Sequence, residues 1–283
     1  MQKTLKEEIK IQGVGLHSGV VSTLIIKPAA ADHAIVFVRS DLPGKPRIPA
    51  LYSYVADTSN CTCLSDKDGN KVSTIEHLMS ALYMAGIDNA LIEVDNLEVP
   101  IMDGSAKEFF TALNNAEKAE QDAPRRQLKI LKEISFSDGK GNSVSLSPAY
   151  AGLRIKFDIE FPSAVVGHQV FNHEITCDIF GSEIACSRTF CEKSAVDYLK
   201  SVGLIKGGSL DNAVVLDGDT LLNPEGFRVE HECVNHKVLD AVGDLYTSGY
   251  RIIGELSAFR TGHYHSNELL KKLFEDRSNY EII

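Results

Sequence analysis

Residues 73–86, STIEHLMSALYMAG, and residues 229–249, VEHECVNHKVLDAVGDLYTSG, decide how this chain is read. Both carry apolar residues at helical spacing, and both stop at a glycine, Gly86 and Gly249. In the shorter stretch Ser73 is a candidate N-cap and Glu76 follows three residues later, the spacing of a capping box, so a helix is predicted to open there. His77 lies nine residues before Gly86, and Asp240 lies nine residues before Gly249. If the two helices are equivalent parts of two similar units, these side chains occupy matching positions. A site between the units can then take one ligand from each.

The flanking sequence supports such a repeat. Residues 5–17, 22–29 and 33–40 read as strands, as does ALIEVDN (90–96) beyond the first helix. SAKEFFTALNNAEKAE (105–120) reads as an amphipathic helix. EKAEQDAPRRQ (117–127) is polar, charged and contains a proline, the composition of a linker. After it the pattern restarts. Residues 128–138, 142–149 and 153–161 read as strands, the long helix follows, YRIIGELSAF (250–259) reads as a strand and SNELLKKLFEDRSNY (266–280) as a closing helix. A chain of 283 residues suits two domains of this size. The expected fold is α+β, with similar domains at 1–122 and 123–283, each a small sheet packed on helices, and an active site at their interface.

Composition narrows the function. Hydrophobic residues are 43% and charged residues 24%, an ordinary globular balance. No apolar run approaches the roughly 20 residues of a membrane span, and the charged start MQKTLKEEIKIQG is unlike a secretory signal. With 29 Lys and Arg against 39 Asp and Glu the net charge is −10, which argues against a nucleic-acid partner. Six cysteines, at 61, 63, 177, 186, 191 and 233, read as reduced thiols in a cytoplasmic protein.

The chemistry concentrates in the two helices. His236 and Asp240 stand at i and i+4 on one helical face, with Asp244 one turn further along. Imidazole and carboxylate are zinc ligands, and a catalytic zinc needs three of them and an open position. His77 is the natural third, and its neighbour Glu76 could act as general base. The same pairs also occur in helices that bind no metal, so spacing alone leaves ligation open. Thr261-Gly262-His263-Tyr264-His265 is predicted to hold an imidazole on a loop, either as a general acid or as part of an ordinary surface turn. Gly13–Gly19 is too short for a dinucleotide fingerprint and Lys206–Ser209 is no P-loop, so both are expected to be turns that let backbone approach a ligand.

Taken in order, GVGLHSG (13–19), CTCL (61–64), STIEHLMSAL (73–82), GIDNALIEV (86–94), EVPIMDGSA (98–106), SRTF (187–190), GLIKGGSLDNAVV (203–215), FRVEHECVNHKVLDAVGDL (227–245) and TGHYHSN (261–267) resemble one family over nearly the whole chain. It is that of the zinc-dependent UDP-3-O-acyl-N-acetylglucosamine deacetylases, which commit a sugar nucleotide to lipid A synthesis. The resemblance implies one zinc ion on His77, His236 and Asp240, a set that iron(II) could also occupy. It implies Glu76 as general base and His263, rather than His265, as general acid, oriented by Asp244. Thr189 would hydrogen-bond the oxygen of the tetrahedral intermediate, and Lys237 would contact the anionic nucleotide. Leu16, Phe190, Val196, Ile205, Gly208 and Val215 would line a passage for the acyl chain. The implied partner is the UDP-linked acylated glucosamine, bound by a cytoplasmic monomer.

Three positions depart from the family pattern. Asn235 stands where many members carry Arg. Tyr264-His265-Ser266 follows the Gly-His pair where others have small and apolar residues. The basic residue expected in the early hairpin of the second domain has Lys140 as its nearest counterpart. Two rival readings are a zinc deacetylase of another amino sugar, and a non-catalytic sugar-nucleotide or lipid-binding protein whose zinc is structural.

Overall fold

Alternation builds the strands. Along Val21–Pro28 the residues Ser22, Leu24 and Ile26 are buried while their neighbours are not, and Leu153, Ile155, Phe157 and Ile159 repeat the pattern later. The computed structural model describes residues 1–283. In the first half β1 (Ile9–Val14), β2 (Val21–Pro28), β3 (Ile35–Arg39) and β4 (Arg47–Pro49) are followed by α1 (Glu76–Ala85), β5 (Ala90–Val94) and α2 (Lys107–Asn115). In the second, β6 (Ile134–Ser137), β7 (Ser143–Ser147), β8 (Leu153–Glu160) and β9 (His168–Glu174) are followed by α3 (Lys193–Ser201), α4 (Glu232–Tyr246), β10 (Arg251–Phe259) and α5 (His263–Glu275).

The two sheets have one topology. The first runs β1-β2-β5-β3-β4 and the second β6-β7-β10-β8-β9. Among these five strands of each sheet, the one that enters last lies at the centre, parallel to its third-entering neighbour, while the other pairings are antiparallel. Short strands Gln127–Ile130 and Tyr280–Ile282 extend the second sheet beside the start of β10. In both halves a buried helix, α1 or α4, leads directly into the central strand and another helix follows it; α3 is an addition to the second half. The repeat hinted at by the two glycine stops is thus a repeat of architecture, and the fold is α+β with two similar units.

The helices α1 and α4 are buried on nearly every side, with only Met84 and Lys237 left out of their interiors. Both carry buried polar residues among the apolar ones, and the two helices lie against each other. Gly243 makes that contact possible, since a Cβ there would stand 2.0 Å from the carbonyl oxygen of Glu76. One continuous core of 55 buried apolar residues runs through both halves. No helix is long and apolar enough to cross a membrane.

Several local expectations are corrected. The capping box at Ser73 does not form: α1 begins at Glu76, its cap position is Ile75 with no side-chain bond, and Ser73 Oγ donates instead to the Leu97 carbonyl. The helix predicted over 105–120 stops at Asn115, and Lys118–Glu120 turn into a strand paired with Lys3–Leu5. Those three residues fall in the stretch read as a linker. The closing helix begins at His263, so that histidine sits in a first helical turn and not on a loop.

Candidate active site

His77 enters from α1, and His236 and Asp240 from α4, so the packing of the two helices assembles the cluster. Each of the three is at most 4% exposed. Asp240 Oδ1 lies 3.4 Å from His236 Nε2 and 3.6 Å from His77 Nε2, and one ligand atom from each residue falls within 4.8 Å of the others. Two donors about 2.1 Å from one tetrahedral cation stand about 3.4 Å apart, so the spacing fits zinc. The donor chemistry fits too. Asp240 Oδ1, the oxygen that faces both imidazoles, is buried without a hydrogen-bond partner, an arrangement that costs free energy unless something else satisfies it. His236 Nδ1 faces the Ser187 carbonyl at 3.0 Å, which orients the ring and turns Nε2 inward. Burial lowers His236 to about 4, so it is neutral and able to ligate at ordinary pH. Burial opposes the charge of Asp240, but His236 and Lys237 overcome it and hold the carboxyl well below the usual range. Lys237 Nζ donates to Asp240 Oδ2 at 2.9 Å.

Glu76 and His263 flank the cluster. Burial raises the Glu76 carboxyl, and Thr62 N–H donates to its Oε2 at 3.0 Å. His263 Nε2 lies 3.8 Å from Glu76 Oε1, and its Nδ1 lies 3.0 and 3.1 Å from the two oxygens of Asp244. Burial works against charge on His263, yet Asp244 and Glu76 raise it to about 9. A buried carboxylate with a raised pKa beside a charged imidazole is a pair able to take one proton and give another.

Two cavities meet here. A polar cleft of about 420 Å³ is lined by His236, Lys237, Asp240, His263, Thr189 and Phe190 among others. A more apolar cavity of about 480 Å³ includes Leu16, Phe190, Val196, Ile205, Gly208 and Val215 in its wall, all six residues expected to line a passage. Thr189 and Phe190 belong to both walls, so the cavity and the cleft adjoin at the SRTF segment. The glycine-punctuated turns form one end of the apolar cavity. Gly207 N–H donates to the Leu16 carbonyl, and a Cβ on Gly207 would stand 2.4 Å from the Gly15 carbonyl oxygen. Lys140 lies on an exposed turn anchored by Asp138, and Asn235 Nδ2 is tied to the Glu230 carbonyl.

Sequence reasoning missed the residues that hold the others. Glu98 is 1% exposed and accepts from His17 N, Ser18 N and Thr74 Oγ1, which fixes the GVGLHSG turn. Arg188 and Glu232 form a fully buried ion pair that secures the SRTF segment to the start of α4. What marks these residues is charge held in the interior, and one sequence does not reveal burial.

The chain matches the family model described as UDP-3-O-acyl N-acetylglycosamine deacetylase over residues 2–275. It is 46% identical to the UDP-3-O-acyl-N-acetylglucosamine deacetylase of Shewanella violacea, with 100% of this chain and 92% of that protein aligned. Its identity to the enzyme of the same name from Actinobacillus pleuropneumoniae is 41%, with the same coverage. For that of Myxococcus xanthus it is 46%, covering 100% of this chain and 89% of the relative. With the match running through both repeats and every segment that builds the cleft, the chain belongs to the UDP-3-O-acyl N-acetylglycosamine deacetylase family.

Proposed function

We propose that this chain hydrolyses the N-acetyl group of a UDP-3-O-acyl-N-acetylglucosamine, releasing acetate in the pathway to lipid A, with a divalent cation, zinc foremost, held by His77, His236 and Asp240. Family membership supports the reaction. The observation that carries the site reading is the meeting of three buried ligand-type side chains beside Glu76 and His263, next to an apolar cavity. When bound, zinc polarises an amide carbonyl and lowers the pKa of water toward about 7.

The remaining work belongs to the chain's own residues. Glu76, raised by burial, takes a proton as the water oxygen adds to the acetamide carbon. Thr189, on the wall shared by both cavities, donates to the oxygen that gains charge. The C–N bond then breaks, acetate leaves, and the charged His263 gives its proton to the departing amine. Asp244 keeps that imidazole charged and aimed. Lys237 keeps Asp240 ionised, and its place in the cleft suits contact with an anionic nucleotide. The apolar cavity receives the acyl chain, where each buried methylene contributes about 0.8 kcal/mol.

Acetate release from UDP-N-acetylglucosamine with and without its 3-O-acyl chain tests the reading. kcat/KM should be higher for the acylated compound by several orders of magnitude, since roughly 0.8 kcal/mol per methylene accumulates over a long chain. Glu76→Ala should retain metal while turnover falls by about two orders of magnitude or more. Equal kcat/KM values would favour a broader amino-sugar deacetylase. Normal turnover in Glu76→Ala would favour a structural metal.

A further inference from the structure

We propose that Thr62 is a positioning residue that sets the Glu76 and Asp244 carboxylates at a fixed relation to each other, an inference that rests on the deacetylase reading above. Thr62 is 2% exposed and lies in the Cys61-Thr62-Cys63 stretch, which the reaction as described does not otherwise use. Its backbone N–H donates to Glu76 Oε2 at 3.0 Å, and its hydroxyl donates to Asp244 Oδ1 at 2.6 Å. Glu76 belongs to α1 in the first repeat and Asp244 to α4 in the second, so one residue, through its backbone N–H and its hydroxyl, spans the junction.

The contacts close a ring. Asp244 faces His263 Nδ1, His263 Nε2 faces Glu76, and Thr62 joins Glu76 back to Asp244. The other three members of the ring are ionisable side chains and Thr62 is not, so its contribution is geometric. The hydroxyl is needed because Asp244 is only 4% exposed, and a buried carboxylate must be supplied with donors. The donors that reach its side-chain oxygens are the Thr62 hydroxyl and His263. Without the hydroxyl, the angle of the Asp244 carboxylate is set by His263 alone. The imidazole then loses the fixed partner that aims it past Glu76. The flanking thiols cannot substitute. Burial pushes Cys63 up to about 11 and holds Cys61 well above the ordinary thiol range, which leaves both as protonated, weak donors.

Thr62→Val removes the hydroxyl at nearly constant shape and keeps the N–H to Glu76, while Thr62→Ser keeps both donors. Thr62→Val should lower kcat roughly ten- to a hundred-fold, the effect of one hydrogen bond to a charged group, with KM and bound metal little changed. Thr62→Ser should recover kcat to within about threefold of the unmodified enzyme. In an Asp244→Asn background Thr62→Val should cost less than about threefold, because the hydroxyl acts through that carboxylate. The proposal is overturned if Thr62→Val keeps full kcat, if Thr62→Ser falls as far as Thr62→Val, or if the whole loss persists beside Asp244→Asn. Should Thr62→Val not fold, Thr62→Ala takes its place with the same expectations. Failure of both to fold while Thr62→Ser folds would assign the hydroxyl to packing and also overturn it. An unmodified enzyme that releases no acetate would refute the deacetylase reading, whereas an active enzyme indifferent to Thr62 refutes this inference alone.

Discussion

His236 and His263 line one cleft, yet their surroundings drive them to opposite charge states. Burial takes His236 down to about 4, while Asp244 and Glu76 overcome burial at His263 and bring it up to about 9. In metal-free protein, the NMR titration of His263 should therefore have its midpoint near about 9, well above the ordinary 6.5. A folded-state pKa above the unfolded value means that the charged form stabilises the fold. That contribution is complete below about 6.5 and is lost as the pH rises through about 9. Asp244→Asn should lower the midpoint and flatten the pH dependence of the urea unfolding midpoint across that window. A midpoint that stays near 9 without Asp244 would contradict the assignment of cause. His236 and Asp240 were legible as a candidate pair because helix geometry fixes what i and i+4 can share, whereas His77 and Glu76 were set beside them only by the echo of the glycine stops and by the family resemblance. Thr62 was not legible, because its partner Asp244 lies 182 residues away and only the tertiary fold joins them.

At the level of elements, most of the long strands and the two buried helices followed from periodicity, while β4 and β9 were not read, residues 128–138 divided into two strands, and helix starts were misplaced. Glu76 explains why. A capping-box glutamate would turn back to its own N-cap, but this one takes the Thr62 N–H and faces His263 instead. The start of α5 tells the same story. A charged imidazole in the first turn opposes the helix dipole, and the Asp244 carboxylate offsets that cost. Within α4 the signal was present but unread: a glycine inside a helix costs about 1 kcal/mol relative to alanine and marks a close approach. Gly243→Ala would place its methyl 2.0 Å from the Glu76 carbonyl oxygen and 2.8 Å from the carbonyl carbon. The helices would have to separate. The variant should lose about 1–3 kcal/mol in urea unfolding, as overpacked cores do, and its kcat should fall with the displaced Glu76. Unchanged stability and turnover would show that α1 and α4 yield at no cost.

Across the whole molecule, the interior is shared by both repeats and the candidate metal site lies where their central helices touch. A cation that binds there recognises only the folded chain, so it should stabilise that chain by mass action. Chelation should lower Tm by roughly 5–10 °C relative to protein with zinc at about a hundred times its Kd, and added zinc should restore it. His77→Ala should abolish this response in calorimetry. A Tm indifferent to both chelator and zinc would remove the metal from the site.

The shared topology of the two sheets bears on parity. A single β-β-β-β-α-β-α unit associating with an identical copy would form an isologous pair, and every group near the rotation axis would appear twice. Such a pair offers a metal two ligands or four, never three. A catalytic zinc wants three and a vacancy. Joining both copies in one chain frees the two halves to differ: α1 supplies one ligand-type side chain, His77, and α4 supplies two, His236 and Asp240. The covalent fusion is thus what permits an odd-numbered candidate ligand set on a nearly symmetric frame.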